Sequence, residues 1–273
     1  MLFQEKKKSI KKNLIYALRE LFRHPLKIIL STMVLFGAMY YRIAGMISFF
    51  QLHHGATFCL ADAFVIVDSG SFGAISMKCV AILPIFLLLI MVATKSDYTI
   101  QHILRKKNRA EIFILQCMKV FWLSLLFALL ITVSVLIAGY VQTTESINWH
   151  LENSVFWVNT GEVLENPISS ANIVMAFFIT EFLTLLFAGS IFVLFRWLFS
   201  NMLVSWIASM GLCFAECYLD GYFRFFYGNV NIDFGLWQAG YPMIPILLYA
   251  FAAIVILFGI WWLFGRKKEF YAK

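Results

Sequence analysis

The sequence predicts an all-α polytopic membrane protein with six transmembrane helices. Of its 273 residues, 62% are hydrophobic and only 14% are charged, whereas a soluble domain usually carries about 25% charged residues. The apolar residues form six stretches, most of them close to the roughly 20 residues that a helix needs to cross a bilayer. The basic residues flank these stretches mostly on one side, and this bias predicts the orientation.

The predicted spans follow one another with short connections. The second span must reach back to Phe72 because 80–93 alone is too short, and Lys78 is then expected to snorkel to an interface. The fourth and fifth spans are separated at 196–201, because a single helix of about 50 residues would overshoot any bilayer. The six spans are Ile28–Phe50, Phe72–Ala93, a helix within Ile112–Val141, Ala171–Phe195, Met202–Leu219 and Met243–Gly265.

Lys and Arg are distributed so that both termini are predicted to be cytoplasmic. Of the 22 basic residues, all but Arg42, Lys78 and Arg224 lie in the N-terminal segment, near the second–third loop, in the fourth–fifth hairpin or in the tail. Cytoplasmic loops carry this excess, and an even number of spans also places both ends on one side. We therefore expect a multi-pass protein of the plasma membrane. Topology accounts for the charge of +7, so no nucleic-acid partner is expected.

The chain divides into a transmembrane domain, residues 28–265, between a basic segment, residues 1–27, and a basic tail, residues 266–273. The first segment carries an apolar stripe at three- and four-residue spacing, with basic residues off the stripe. This pattern predicts an amphipathic helix in the cytoplasmic interface; the alternative is a basic flank with no mechanical role. The stripe consists of Ile10, Leu14, Leu18, Leu21 and Phe22.

The loop between the second and third spans predicts a short cytoplasmic helix. Ser96 or Asp97 is a suitable N-cap, Tyr98, Ile100 and Leu104 can present an apolar patch, and a basic cluster follows. Such a helix, joined rigidly to two spans, suits force transfer from another protein. The alternative is that its positive charge only holds the loop at the lipid head groups.

These features resemble the membrane subunit of a type-2 ABC exporter, a family of six-helix permeases that export lantibiotics, drugs or polysaccharides. The resemblance covers essentially the whole chain, and its local match is Asp97-x-Thr99-x-x-x-x-Leu104 with Arg109, then Lys119 entering the third span. In that family, an acidic residue opens a coupling helix that docks on an ATPase. The resemblance thus implies ATPase coupling by Asp97, Tyr98, Ile100, Leu104, Arg105 and Arg109.

The resemblance also implies partners and a cargo. The sequence contains no G-x-x-x-x-G-K-[ST] phosphate loop, so ATP and Mg²⁺ would belong to separate ATPase subunits, and this chain is not expected to be an enzyme or to hold a cofactor. Six helices make half of such an exporter, which implies a homodimer or a pairing with a related permease. The expected cargo is an amphipathic or antimicrobial peptide, because the acidic outer loops would attract cationic molecules. Lipid-linked glycans and hydrophobic drugs are alternatives. A membrane capture or sensor subunit and an intramembrane enzyme are the competing functions.

Charged residues inside the spans are costly, which makes Arg42, Glu181 and Glu216 candidates for the translocation pathway. The alternative is a structural ion pair, in which Arg42 binds Glu216 at similar depth or Glu181. Lys119, near the inner end of the third span, is expected to snorkel. No metal site is expected, because the adjacent His53 and His54 lack a third ligand. Two thiols, Cys59 and Cys79, either form a bridge at the outer face or are small packing residues.

Overall fold

The structure, a computed structural model, describes residues 25–69, 77–98, 109–164, 168–199, 201–218, 226–227, 229–240 and 243–267. Regular structure in these ranges is helical, apart from one isolated bridge between Thr57 and Ser154. The all-α prediction is therefore confirmed for the described part of the chain. The helices are α1 (Pro25–His54), α2 (Leu60–Ser69), α3 (Leu83–Thr94), α4 (Arg109–Gln142), α5 (Val155–Thr160), α6 (Ser170–Leu198), α7 (Met202–Tyr218), α8 (Phe234–Gln238) and α9 (Met243–Lys267).

Five helical stretches are long and apolar enough to cross a membrane: α1, the stretch Lys78–Tyr98 that contains α3, and the helices α4, α6 and α9. A multi-pass helical membrane protein is thus confirmed. The predicted fifth span corresponds to α7, which has 17 residues and is shorter than the roughly 20 that a bilayer requires. Six crossings therefore stay a prediction. The predicted N-terminal interfacial helix lies almost wholly outside the described residues.

The described part of the second span begins at Met77, and the predicted start at Phe72 lies outside the described residues. A π-helical turn, Lys78–Ile82, precedes α3, and a 3₁₀ turn, Lys95–Tyr98, follows it. Pro84 has no N–H to bond four residues back, and the adjacent Leu83 N–H bonds to the Lys78 carbonyl five residues back. The Lys78 side chain is only 3% exposed, so the expectation that it snorkels is wrong.

The connection between the first two predicted spans contains helix α2, which is buried in the bundle. Every residue from Ala61 to Asp68 is buried. Leu60 and Ala63 pack against Gly139 of α4, and the Phe64 ring lies 5.1 Å from the Phe177 ring of α6. A helix that is apolar on all sides requires such burial. With ten residues, α2 is too short to cross a membrane by itself.

Helix α6 is the centre of the bundle. Its apolar stretch is 78% buried, against 17–50% for the other four long stretches. It packs against α2, α3, α4, α7 and α9. Gly189 permits the closest approach, because a Cβ atom there would lie 2.5 Å from Ile90 Cδ1 and 2.9 Å from Val120 Cγ1.

The chain closes the two ends of the bundle differently. At one end, residues 143–164, 226–227 and 229–240 form a structure that we call the cap, which contains α5 and α8. Trp149 is at its centre and stacks on Phe156 with ring centroids 4.8 Å apart. At the other end, called the hairpin end, the turn Lys95–Tyr98 lies beside the short connection from α6 to α7.

Gly189→Ala should destabilise the protein by about 1–3 kcal/mol, because the added methyl group overpacks the contact of α6 with α3 and α4. Thermal unfolding in a mild detergent measures the effect. Gly259→Ala is the matched control, since a Cβ atom at Gly259 of α9 meets no atom within 4 Å. Equal melting temperatures for the two variants would contradict the proposed packing.

Candidate functional site

Three charged side chains meet inside the bundle and form what we call the buried charge cluster. Asp68 comes from the last turn of α2, Lys78 from the π-helical turn, and Glu181 from α6. The Lys78 ammonium pairs with the Asp68 carboxylate and lies 3.3 Å from Glu181 Oε1. Each of the three residues is at most 4% exposed. The cluster therefore joins three separate elements through one ammonium group.

Electrostatics make Lys78 the central group of this cluster. Two carboxylates and one ammonium carry a net charge of −1 when all three are ionised. Removing such groups from water costs several kcal/mol per ion, and a buried ion pair offsets this cost only with good geometry and further hydrogen bonds. Asp68 receives one such bond from the backbone N–H of Ile232 in the cap. The cluster thus also fixes the cap to α2.

Of the sequence-predicted pathway residues, only Glu181 belongs to this cluster. Glu216 is buried in the last turn of α7, and its carboxylate accepts hydrogen bonds from the backbone N–H groups of Phe226 and Tyr227, the latter at 2.7 Å. Glu216 therefore attaches the cap to α7. Arg42 is half-buried on α1, and its Nε and Nη2 atoms have no hydrogen-bond partner. The pairing of Arg42 with Glu216 or Glu181 does not occur among the described residues.

A second buried ion pair lies at the hairpin end. Lys119 Nζ is 2.7 Å from Asp97 Oδ1 and donates a hydrogen bond of 2.9 Å to the carbonyl of Ala93. Lys119 is only 1% exposed, so the expectation that it snorkels is wrong. The Arg196 guanidinium lies 4.4 Å from the centre of the Tyr98 ring. We call Asp97, Lys119, Tyr98 and Arg196 the hairpin-end network.

The six residues predicted to couple to an ATPase are only partly described. Asp97 is buried and Tyr98 is half-buried, and both lie in the 3₁₀ turn Lys95–Tyr98. Ile100, Leu104 and Arg105 lie outside the described residues. Arg109 is the first residue of α4, and its side chain also lies outside the described part. Docking by these residues stays a prediction.

A further buried carboxylate, Asp62 of α2, contacts the cap. Its oxygens accept hydrogen bonds from the backbone N–H of Cys59 at 2.8 Å and from Trp149 Nε1 at 2.7 Å. Burial raises the pKa of the Asp62 carboxyl to about 6, although both N–H donors oppose the rise. Asp62 therefore makes the attachment of the cap to α2 sensitive to pH.

Cys59 and Cys79 do not form a disulfide with each other, which was one of the two predicted alternatives. Cys59 is a free, buried thiol, and Cys79 is disulfide-bonded to another residue. Cys117 and Cys213 are also free. The disulfide is therefore formed at the beginning of the second span and not between the two thiols that sequence reasoning considered.

Sequence reasoning missed Asp68 and misjudged Lys78. Asp68 was assigned to the outer loop between the first and second predicted spans. A signal was nevertheless present, since residues 63–67 are uninterrupted apolar residues between Asp62 and Asp68. Such a run is typical of a buried element, and the two flanking carboxylates then require partners.

No protein-family model, curated protein sequence or solved structure matches this chain. The fold defines a multi-pass helical membrane protein, and the described part of its bundle contains buried ion pairs. Any functional assignment therefore depends on the chemistry of these side chains and on the surfaces that remain accessible.

Lys78→Met should destabilise the protein by about 3–5 kcal/mol, because it leaves two carboxylates close together in the bundle without their cation. Glu181→Gln should destabilise the protein less than Lys78→Met does, because the ion pair of Lys78 with Asp68 remains. Combining the two substitutions should recover part of the loss. Thermal unfolding of the three variants in one detergent measures these differences; an additive double variant would show that Lys78 and Glu181 do not interact.

The stabilising effect of Asp62 should decrease as pH rises from about 4 to 6. The pKa of Asp62 rises from 3.8 in the unfolded chain to about 6 in the folded protein. Between these pH values the folded state binds more protons than the unfolded state, so the free energy of unfolding falls by about 3 kcal/mol as pH rises to about 6. The melting temperature of Asp62→Asn, compared with that of the unsubstituted protein from pH 4 to 7, measures it. A difference independent of pH would contradict this assignment.

Proposed function

We propose that this chain is the membrane permease subunit of a type-2 ABC exporter and moves its substrate with ATP hydrolysed by a separate subunit. The hairpin-end network is the observation that carries the proposal. It holds the turn Lys95–Tyr98, which leads directly into the predicted coupling segment, against helices α4 and α6 through buried charged groups. A motor that pushes on residues 99–108 would therefore act on a rigidly attached turn.

Rigid attachment matters because a flexible turn would absorb the motion. Lys119 of α4 bonds to both Asp97 and the carbonyl of Ala93, so one ammonium group joins α4 to the end of α3. The Trp197 indole of α6 donates a hydrogen bond of 2.6 Å to Gln116 of α4. Displacement of the turn would move α3, α4 and α6 together, which is the kind of rocking motion that alternating access requires.

The hairpin-end network and the buried charge cluster would transmit this motion along the bundle. The hairpin-end network lies on α4, on α6 and on the turn after α3. Towards the other end, α6 and the turn before α3 contribute Glu181 and Lys78 to the buried charge cluster. The cluster also binds the cap through the N–H of Ile232. Motion that begins at the hairpin end would thus reach the cap, which faces outwards in the predicted topology.

A surface of the cap supports a cationic or amphipathic peptide as cargo. A cavity of about 600 Å³ there is lined by Glu152, Glu162, Trp157 and Gln238, among others. The Trp157 ring is 41% exposed, and an aromatic face beside carboxylates favours cationic groups. In the proposed complex, ATPase subunits bind the cytoplasmic hairpin end and a second permease copy or a related permease completes the path.

Asp97→Asn should lower the stimulation of the partner ATPase, and the export that depends on it, by up to about 5- to 150-fold, the factor that corresponds to loss of a typical coupling free energy of about 1–3 kcal/mol between two sites. The first measurement is a mild-detergent pull-down, which should recover a protein with a phosphate loop. Hydrolysis by the recovered complex is then compared with and without the substitution.

Lys95→Gln is the matched control, because it removes a charge from the same turn at an exposed position and should leave hydrolysis unchanged. Circular dichroism and gel filtration verify that Asp97→Asn remains folded. Recovery of no ATPase, or full stimulation with Asp97→Asn, would argue against the exporter assignment.

A further inference from the structure

A lateral groove separates α1 from the beginning of the second span. Its volume is about 590 Å³, within the range of about 300–1,000 Å³ that is typical of small-molecule sites. Nine residues line it, and Arg42 is the one charged residue among them. The apolar walls are contributed by Ala38, Gly45 and Met46 on α1 and by Met77, Val80 and Ala81 on the other side.

Arg42 presents two free donors to this groove. The Nε and Nη2 atoms are buried and have no hydrogen-bond partner. These two atoms lie on the same edge of the guanidinium plane, where their N–H groups form a fork that matches two oxygens of a phosphate or carboxylate. Burying a charged group without hydrogen-bond partners in an apolar groove costs free energy. An anionic group would accept hydrogen bonds from both donors.

Neighbouring side chains place Arg42 at the level of a membrane surface. The carbonyl of Tyr40 accepts a hydrogen bond of 3.3 Å from Gln142, the last residue of α4. Tyr41 and Tyr140 are 82% and 76% exposed, and exposed tyrosines on membrane helices are typical of the head-group region. An anion that reaches Arg42 therefore comes most simply from the bilayer itself.

We propose that this groove binds one anionic phospholipid from the leaflet on the cap side. The Arg42 fork holds the head-group phosphate, and an acyl chain lies along the apolar walls between α1 and α3. The described lining contains no carboxylate, so a head-group amine would lack an ionic partner, which favours phosphatidylglycerol-type lipids over zwitterionic ones. The bound lipid would join α1 to the second span at the turn that carries Lys78.

The test compares lipid binding by the purified protein in mixed micelles that contain dioleoyl phosphatidylglycerol, dioleoyl phosphatidylcholine or oleate. Native mass spectrometry counts bound lipid, and thermal unfolding measures the stabilisation. We expect phosphatidylglycerol to bind most tightly and to raise the melting temperature. Arg42→Gln should weaken phosphatidylglycerol binding about 10- to 100-fold. Arg42→Lys should retain only part of the affinity, since an ammonium group lacks the two-donor fork of a guanidinium.

Two further variants keep the test decisive if Arg42→Gln folds poorly. Gly45→Leu retains the charge and fills the groove; a Cβ atom at Gly45 meets no atom within 4 Å, so the fold should tolerate it, and lipid binding should fall. Lys95→Gln removes a positive charge at the hairpin end and should leave the phosphatidylglycerol preference unchanged. Equal binding of phosphatidylcholine, tighter binding of oleate, or no effect of Arg42 and Gly45 substitutions would overturn the proposal.

Discussion

The pairing of one lysine with two carboxylates inside the bundle is the interaction on which the rest of this structure depends. Lys78 neutralises charge from α2 and α6 at once, and without it neither carboxylate has a described cation. Because ions are expensive to bury, this arrangement permits only one register of α2 against the second span and α6. The cap is attached to the same cluster through the N–H of Ile232, so its position follows from the ion pair.

Most of the buried charged side chains that the structure describes join elements of the bundle. Asp97 and Lys119 connect the second span to α4 at the hairpin end, Glu216 connects α7 to the cap, and Glu181 belongs to the buried charge cluster. Arg42 is the exception, since two of its nitrogens meet no partner. In the proposed permease, helices joined in this way would move as connected units, and Arg42 would bind the proposed lipid.

Sequence patterns were most informative where a long helix had to satisfy the thickness of a bilayer. The apolar lengths identified the stretches that became α1, α4, α6 and α9. Lys78 was misjudged because an apolar run specifies the length of a span but not which charges meet inside it. Asp68 was missed for a related reason: α2 has only ten residues, and its burial depends on packing against α4 and α6.

The amino-acid sequence by itself determined that the protein lies in a lipid bilayer and approximately where its long helices are. Both follow from local apolar content and from hydrogen bonding within each helix. Only the tertiary structure decided that Lys78 pairs with Asp68 and Glu181, that Lys119 turns inwards to Asp97, and that Arg42 remains in an apolar groove. These outcomes depend on the rotation and depth of each helix relative to its neighbours. Contacts between residues far apart in the chain set both quantities, and no local pattern encodes them.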